Sequence, residues 1–162
     1  MNFSCQPVDA SFFDTAPMRF VNVVDLDATP GEVFSIFEDS ESWPHWFDGM
    51  KKVQWTTSKP YGVGSERTVW MTPVTVAEHF FRWEKDRRMS FYFTGHSRPL
   101  AHALAEDYLL ESGATGKTRF MYIVAMRPRM LVRMGGPLSH AYFGSMFRNA
   151  SRGLSRYVAK AH

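Results

Sequence analysis

Three glutamates lie within strand-like, mostly apolar runs and are the residues best suited to proton transfer: Glu66, Glu78 and Glu106. A carboxyl group on the buried face of a strand loses hydration, and this loss raises its pKa towards the range in which a general acid or base works. The alternative for each residue is a surface carboxylate paired with Arg or Lys on a neighbouring strand. The residue pattern alone leaves both interpretations open.

Tyrosines in the same kind of run supply candidate hydroxyl donors, namely Tyr92, Tyr108 and Tyr122. Side chains alternate along a strand, so Glu106 and Tyr108 share one face of the run 103–112 with two leucines. We predict that this face points inward, that Glu106 is at least partly buried, and that its pKa is raised. The candidate catalytic residues are therefore Glu106, Glu66, Glu78 and Tyr108.

Two other strand-like runs do not reveal which of their faces is buried. In residues 64–71 and 89–94, apolar and polar side chains occur on both faces. The even-numbered set includes Glu66 and Tyr92, whereas the odd-numbered set includes Arg67. Either set is compatible with an inward orientation.

Several chemistries find no support in the residue pattern. The six histidines show no metal-ligand spacing, and glycine-rich nucleotide-binding motifs and the GxSxG motif of serine hydrolases are absent. The single cysteine, Cys5, excludes an intrachain disulfide framework. We therefore expect no metal and no cofactor.

Because the sequence shows neither a secretory signal pattern nor a long apolar run, we expect a cytoplasmic protein.

Turn residues divide the chain into elements that must position these side chains. A strand over 19–26 precedes a short helix capped by Asp27 or Thr29, with Pro30 in its first turn, and a second turn-like element carries Trp43. Six further strand-like runs follow in hairpin-like succession, which favours an antiparallel sheet of about seven strands. These six runs are 52–57, 64–71, 75–85, 89–94, 103–112 and 117–126.

A helix over about 136–160 closes the chain and carries a wide apolar stripe. A stripe of this width is typical of a helix packed against a concave sheet. Residues 1–18 are predicted to be a tail or an edge segment, and residues 19–160 one ligand-binding domain. The predicted fold class is α+β, with a short N-terminal helix pair and a long C-terminal helix.

The chain order of the predicted strands and helices, together with several local motifs, resembles the START/Bet v 1-like (SRPBCC) superfamily. The resemblance is to its polyketide cyclase/dehydrase and lipid-transport branch in particular. The motifs are ATPGEVF, WPHWF, GVGSERTVW, GKTRF and GGPLSHAYFGSMF. The resemblance implies a helix-grip fold, in which a curved sheet surrounds the long helix and leaves a cavity between them. It implies an apolar ligand of the polyketide, lipid, sterol or quinone class. The superfamily has no universal catalytic triad, so it assigns no catalytic residue here.

Within such a fold, the alternation of the strands and the helical stripe predict the residues that line the cavity. They are Trp43, Trp46, Phe47, Trp70, Tyr108, Phe120, Tyr122, Tyr142, Phe143, Met146 and Phe147.

Three functions are compatible with this expectation. The first is binding of a hydrophobic small molecule in the cavity. The second is a polyketide cyclase/aromatase or dehydratase, in which a buried Glu or Tyr transfers a proton without a metal or nucleotide cofactor. The third is an interaction module whose basic C-terminal region docks an acidic protein.

The segment RPRMLVRMG before the last helix is predicted to be a loop at the cavity entrance. Residues 112–162 contain nine Lys or Arg and no Asp or Glu, so this part of the chain is strongly basic. An anionic membrane surface or an acidic carrier protein would suit it, whereas the absence of a recognition motif argues against nucleic acid. The entrance residues are Arg127, Arg129, Met130, Leu131 and Arg133.

Overall fold

The computed structural model of the protein describes residues 1–161 and shows one antiparallel sheet curved around a long helix. The strands are β1 (Phe3–Ser4), β2 (Met18–Leu26), β3 (Met50–Trp55), β4 (Glu66–Met71), β5 (Thr75–Glu84), β6 (Arg88–His96), β7 (Ala101–Ser112) and β8 (Thr118–Pro128). Their spatial order is β2-β8-β7-β6-β5-β4-β3, and β1 pairs with β6. Each of the seven main strands lies beside its neighbour in sequence except β2, which reaches across to β8. The helix-grip fold predicted from the sequence is thus confirmed.

Within residues 1–161 five α-helices accompany the sheet, and the second begins with clear local signals. They are α1 (Phe12–Thr15), α2 (Pro30–Glu38), α3 (Trp43–Trp46), α4 (Met130–Met134) and α5 (Gly136–Ala161). Thr29 caps α2 in a capping box with Glu32, and Pro30 occupies the first turn, where its missing N–H costs nothing. The helix buries Val33, Phe34 and Phe37 on one side.

The last helix, α5, lies across the concave face of the sheet and packs against β2 and α3. It buries Phe143, Phe147, Leu154 and Val158 along one stripe. At Gly153 the helix approaches α3 so closely that a Cβ atom would lie 2.0 Å from the carbonyl oxygen of Trp46. Glycine is therefore required there to seat the helix on the tryptophan cluster.

The first 18 residues are attached to the sheet rather than free of it. Phe3 pairs with His96 through β1, and Phe12 and Phe13 of α1 are buried on the convex face of the sheet. They form a small second apolar cluster with residues of β7 and β8, including Ala105 and Ile123. The N-terminal segment thereby covers sheet surface that would otherwise meet water.

The segment before α5 differs from the predicted loop. Strand β8 continues through Pro128, and residues 130–134 form the short helix α4. The side chain of Val132 is buried in the main core, and this contact holds α4 against the fold. No helix within residues 1–161 combines the length and apolar character that crossing a membrane requires.

Candidate functional site

A cavity of about 130 Å³ lies between the sheet and α5. Its walls are predominantly apolar, and they come from β3 to β7, from α3 and from the first half of α5. Residues of the helix, such as Phe143 and Phe147, face strand residues such as Val69, Val76 and Leu104 across it. The side chains on these two walls thus leave a cavity between the sheet and α5.

One end of the cavity opens to solvent. Arg98 and Pro73 line the cavity and are exposed, and the Arg98 guanidinium donates a hydrogen bond from Nε to the Pro73 carbonyl, 3.4 Å away. Tyr142 of α5 lines the same space and is 59% exposed. These residues mark the mouth of the cavity, between α5 and the loops beside β4 and β6.

The other end of the cavity carries a buried carboxyl group. Glu106 is 7% exposed, and the hydroxyls of Tyr108 and Tyr122 each donate to its Oε2 atom at 3.0 Å. The register explains this meeting, because Tyr108 is two residues along the same strand and Tyr122 lies directly opposite Tyr108 on β8. Both hydroxyls use Oε2, so Oε1 is the oxygen left for a bound molecule.

Burial is the main reason that the pKa of Glu106 is raised from 4.5 to about 8. The negative charge of Glu78 raises the pKa further, while the two tyrosine hydroxyls and Arg67 oppose the increase. Around neutral pH the group is therefore mainly an uncharged carboxylic acid. The pKa values of Tyr108 and Tyr122 lie well above their usual value, chiefly through burial, so both hydroxyls remain protonated.

A buried ion pair completes the polar end. Arg67 and Glu78 are register partners on β4 and β5, and the Arg67 Nε atom donates to Glu78 Oε2. Burial raises the pKa of Glu78, and the adjacent guanidinium counteracts that rise. The guanidinium lies 4.4 Å from the ring centroid of Trp43 and 5.0 Å from that of Phe91. Aromatic rings therefore hold the cation in place where water does not reach it.

This arrangement can orient a ligand and can exchange a proton with it. The carboxylic acid of Glu106 both donates and accepts hydrogen bonds, and its pKa allows transfer in either direction near neutral pH. The remainder of the cavity wall offers apolar contact. Among residues 1–161 no cluster of three or more His, Cys, Asp or Glu side chains is placed to hold a metal ion.

The four candidate catalytic residues separate into two groups. Glu106, Glu78 and Tyr108 all line the cavity. Glu66 does not, because in β4 the odd-numbered residues face inward, and the Glu66 side chain lies outside, 3.1 Å from His79 Nδ1. In β6 the odd-numbered residues are also the inner set, so Tyr92 lies on the convex side beside Phe81.

Of the residues expected to line the cavity, most lie on its wall, but four do not. Those on the wall are Trp43, Phe47, Tyr108, Tyr142, Phe143, Met146 and Phe147. Trp46, Phe120 and Tyr122 are buried in the core beside the cavity, where other rings cover them. Trp70 faces outward, with the Lys52 ammonium 4.9 Å from its ring centroid.

The sequence-based expectation missed Arg67 and several apolar wall residues. Val69 and Met71 share its face of β4, and Val76 and Leu104 come from β5 and β7. The signal for β4 was ambiguous, because an arginine would ordinarily be assigned to solvent. Burial of this cation is explained only by side chains of other elements, namely the Glu78 carboxylate and the surrounding aromatic rings.

Two of the expected entrance arginines, Arg127 and Arg129, make hydrogen bonds to the N-terminal segment. Arg127 Nη1 donates to Gln6 Oε1 at 2.9 Å, and Arg129 donates to the carbonyls of Ala101 and Ser4 at 3.0 and 2.9 Å. These hydrogen bonds tie the N-terminal segment to the sheet. Arg133, Met130 and Leu131 of α4 are exposed.

Fold and cavity together define a START-like helix-grip protein. The family of polyketide cyclases/dehydrases and lipid transport proteins matches residues 17–159, and the chain belongs to this family. A protein of Mycobacterium tuberculosis whose own function is uncharacterized is 35% identical over 163 residues, which cover 96% of this chain and 93% of that protein.

Solved structures share the fold at low sequence identity. A START superfamily protein from Mycobacterium smegmatis is similar with a TM-score of 0.76 and 12% identity, covering 89% of this chain and 99% of that one. The Zhui aromatase/cyclase from a Streptomyces species is similar with a TM-score of 0.68 and 11% identity, covering 88% and 92% of the two chains. At such identities these likenesses show the fold alone. Family membership and fold together support hydrophobic ligand binding.

Proposed function

We propose that this protein binds a hydrophobic small molecule of the polyketide, lipid, sterol or quinone class in the cavity between the sheet and α5. The observation that carries the proposal is a predominantly apolar cavity, open at one end, with polar groups gathered at its inner end. Small-molecule sites generally combine a large apolar surface with a few placed polar groups. The apolar body of the ligand would supply affinity, at roughly 25 cal/mol per Å² removed from water.

The polar end would set the orientation of the ligand. Glu106 is the residue best placed for this, because its Oε1 is not used by the two tyrosine hydroxyls. A ligand oxygen at that position would exchange hydrogen bonds with a carboxylic acid rather than with a carboxylate. Such a contact involves no buried unpaired charge, and burial of an unpaired charge would be costly.

Titration of a neutral apolar fluorescent probe, such as Nile red, tests the binding function. Val76 is 1% exposed and lines the cavity, so Val76→Phe places a ring in the space that the ligand would occupy. We expect saturable binding by the wild type and at least about tenfold weaker binding by this variant.

Val21→Phe is the matched control, because Val21 is 44% exposed on β2 and lies away from the cavity. It adds the same ring and should leave probe affinity unchanged. Absence of saturable binding by the wild type, or equal binding by Val76→Phe, would contradict the proposal.

A second candidate is an enzyme of the cyclase/aromatase or dehydratase kind. The observation that favours it is Glu106, whose pKa of about 8 suits proton transfer near neutral pH. The same fold occurs in the Zhui aromatase/cyclase, although fold similarity by itself does not transfer that activity.

The two candidates differ in the fate of the bound molecule. A carrier releases its ligand unchanged, whereas an enzyme releases a product of altered mass or altered isomeric form. Chromatography with mass spectrometry of wild-type and Glu106→Gln mixtures, each incubated with the co-purified molecule, separates them. Conversion by the wild type that the variant lacks would establish the enzyme. An interaction module without a ligand requires no cavity, so the cavity favours the first two candidates over the third.

A further inference from the structure

Five large apolar side chains are exposed within 13 residues of chain, and we name this set of residues the apolar rim. The rim consists of Met130 (74% exposed), Leu131 (67%), Met134 (78%), Leu138 (81%) and Tyr142 (59%). The other exposed large apolar residues within residues 1–161 are Met1, Val63 and the two β2 valines Val21 and Val23. Concentrated exposure of this kind marks an interaction surface more often than isolated exposure does.

The structure holds the rim in an outward position. Val132 of α4 is 7% exposed in the main core, so its neighbours on the helix must point the other way. Arg129 fixes the start of α4, because its backbone N–H donates to Leu100 and its side chain to Ala101 and Ser4. The exposed apolar groups are therefore presented by an anchored helix, not by a frayed end.

The rim is continuous with the mouth of the cavity. Tyr142 belongs to both, since it lines the cavity and is exposed. The next residue, Phe143, is buried and also lines the cavity. These two neighbouring rings therefore connect the exposed rim residues with the cavity wall.

The charge around the rim is positive. Arg133 of α4 is exposed between the rim residues, and Arg98 is exposed at the mouth of the cavity. The chain from Ser112 onwards contains no Asp or Glu. Basic side chains beside exposed apolar side chains are typical of segments that lie in the interface of an anionic membrane.

We propose that the apolar rim inserts into the surface of an anionic lipid bilayer, so that the cavity mouth faces the membrane. Protruding, flexible Met and Leu side chains suit a fluid acyl environment, while the arginines suit lipid phosphates. The proposal of membrane docking depends only on the observations at the rim. Passage of the ligand between bilayer and cavity rests on the proposed function.

Vesicle co-sedimentation tests the docking directly. Wild-type protein should bind vesicles of phosphatidylcholine with phosphatidylglycerol at low salt, and should bind less at high salt or to phosphatidylcholine alone. The double variant Met134→Asp/Leu138→Asp should lose at least about tenfold in vesicle binding. The double variant Val21→Asp/Val63→Asp introduces the same two charges at exposed valines elsewhere and should bind like the wild type.

Nile red titration of the rim variant keeps this test separate from that of the proposed function. Unchanged probe affinity with lost vesicle binding supports docking, whatever the cavity carries. Failure of the wild type to bind anionic vesicles at low salt overturns the docking proposal, as does equal binding by the rim variant. Equal binding to neutral and anionic vesicles overturns the role of the arginines. Capture of an acidic protein without vesicle binding overturns the choice of membrane as partner.

Discussion

Glu106 and Asp107 are adjacent acids on β7, yet they lie on opposite faces of the sheet and have opposite environments. Asp107 is fully buried on the convex face, where Arg88 donates two hydrogen bonds at 3.0 and 2.7 Å and Ser90 a third at 2.6 Å. Glu106 faces the cavity and receives its hydrogen bonds from two uncharged tyrosine hydroxyls. Burial is similar for the two acids, so their different partners are what distinguish them.

Asp107 is therefore a structural carboxylate, whereas Glu106 is a candidate functional one. The hydrogen bond to Asp107 is the main cause of the raised pKa of Arg88, as expected for a matched ion pair. Glu106 has no such cation of its own, because Arg67 is held by Glu78. A buried acid that lacks a counter-ion and faces a cavity keeps its proton, and it can present that proton to a ligand.

The largest effect is expected when the convex pair is broken. Asp107→Ala removes all three hydrogen bonds and leaves Arg88 without its partner, so we expect a loss of about 3 kcal/mol in the free energy of unfolding. Urea denaturation at neutral pH measures this loss. A loss below about 1 kcal/mol would show that Arg88 reaches solvent and that Asp107 has no structural role.

At the neighbouring Glu106 we expect substitution by Gln to raise the free energy of unfolding near neutral pH rather than lower it. Below pH 4.5 Glu106 is protonated in the folded and the unfolded protein, so Glu106→Gln should leave stability nearly unchanged there. Between pH 4.5 and about 8 the unfolded chain loses this proton while the folded protein retains it. The folded wild type therefore loses stability as the pH rises, by up to about 1.4 kcal/mol per pH unit.

Glutamine does not titrate, so the Glu106→Gln variant should be more stable than the wild type at pH 7, by up to about 3 kcal/mol. Urea denaturation of both proteins at several pH values measures the difference. Because all other groups are shared, the difference between the two curves reports Glu106. If the free energies of unfolding of the two proteins changed in parallel with pH, the raised pKa of Glu106 would be contradicted.

The smallest effect is expected at Glu66, the candidate acid that lies outside the cavity. Its side chain is 54% exposed and contacts His79 at 3.1 Å. Surface pairs of this kind contribute little, so Glu66→Gln should change the free energy of unfolding by no more than about 0.5 kcal/mol. Nile red affinity should also be unchanged. A clear loss of probe binding in this variant would show that Glu66 contributes to the ligand-binding site.

Much of this contrast follows from the residue pattern. Alternation requires Glu106 and Asp107 to face opposite sides of a strand, and the apolar neighbours of Glu106 indicate that its face is the inner one. The chain order of strands and helices likewise indicates a sheet gripping a terminal helix. These features are local or periodic, and such features can be read from one sequence.

Other features depend on contacts between distant parts of the chain. Burial of Arg67 requires aromatic rings from α3, β5 and β6, so the inward face of β4 could not be assigned from β4 alone. Helix α4 is too short to show helical periodicity. The roles of Arg127 and Arg129 depend on Gln6 and Ser4, more than 120 residues earlier in the chain.

Native mass spectrometry of freshly purified wild-type protein, followed by denaturation and identification of any released molecule, tests whether the cavity holds an apolar ligand. We expect a complex with an apolar small molecule that dissociates on denaturation. The Val76→Phe variant should carry much less of it, and Val21→Phe should carry as much as the wild type. A wild-type protein that carries no such molecule and fails to take one up from a lipid extract would rule out ligand binding in the cavity.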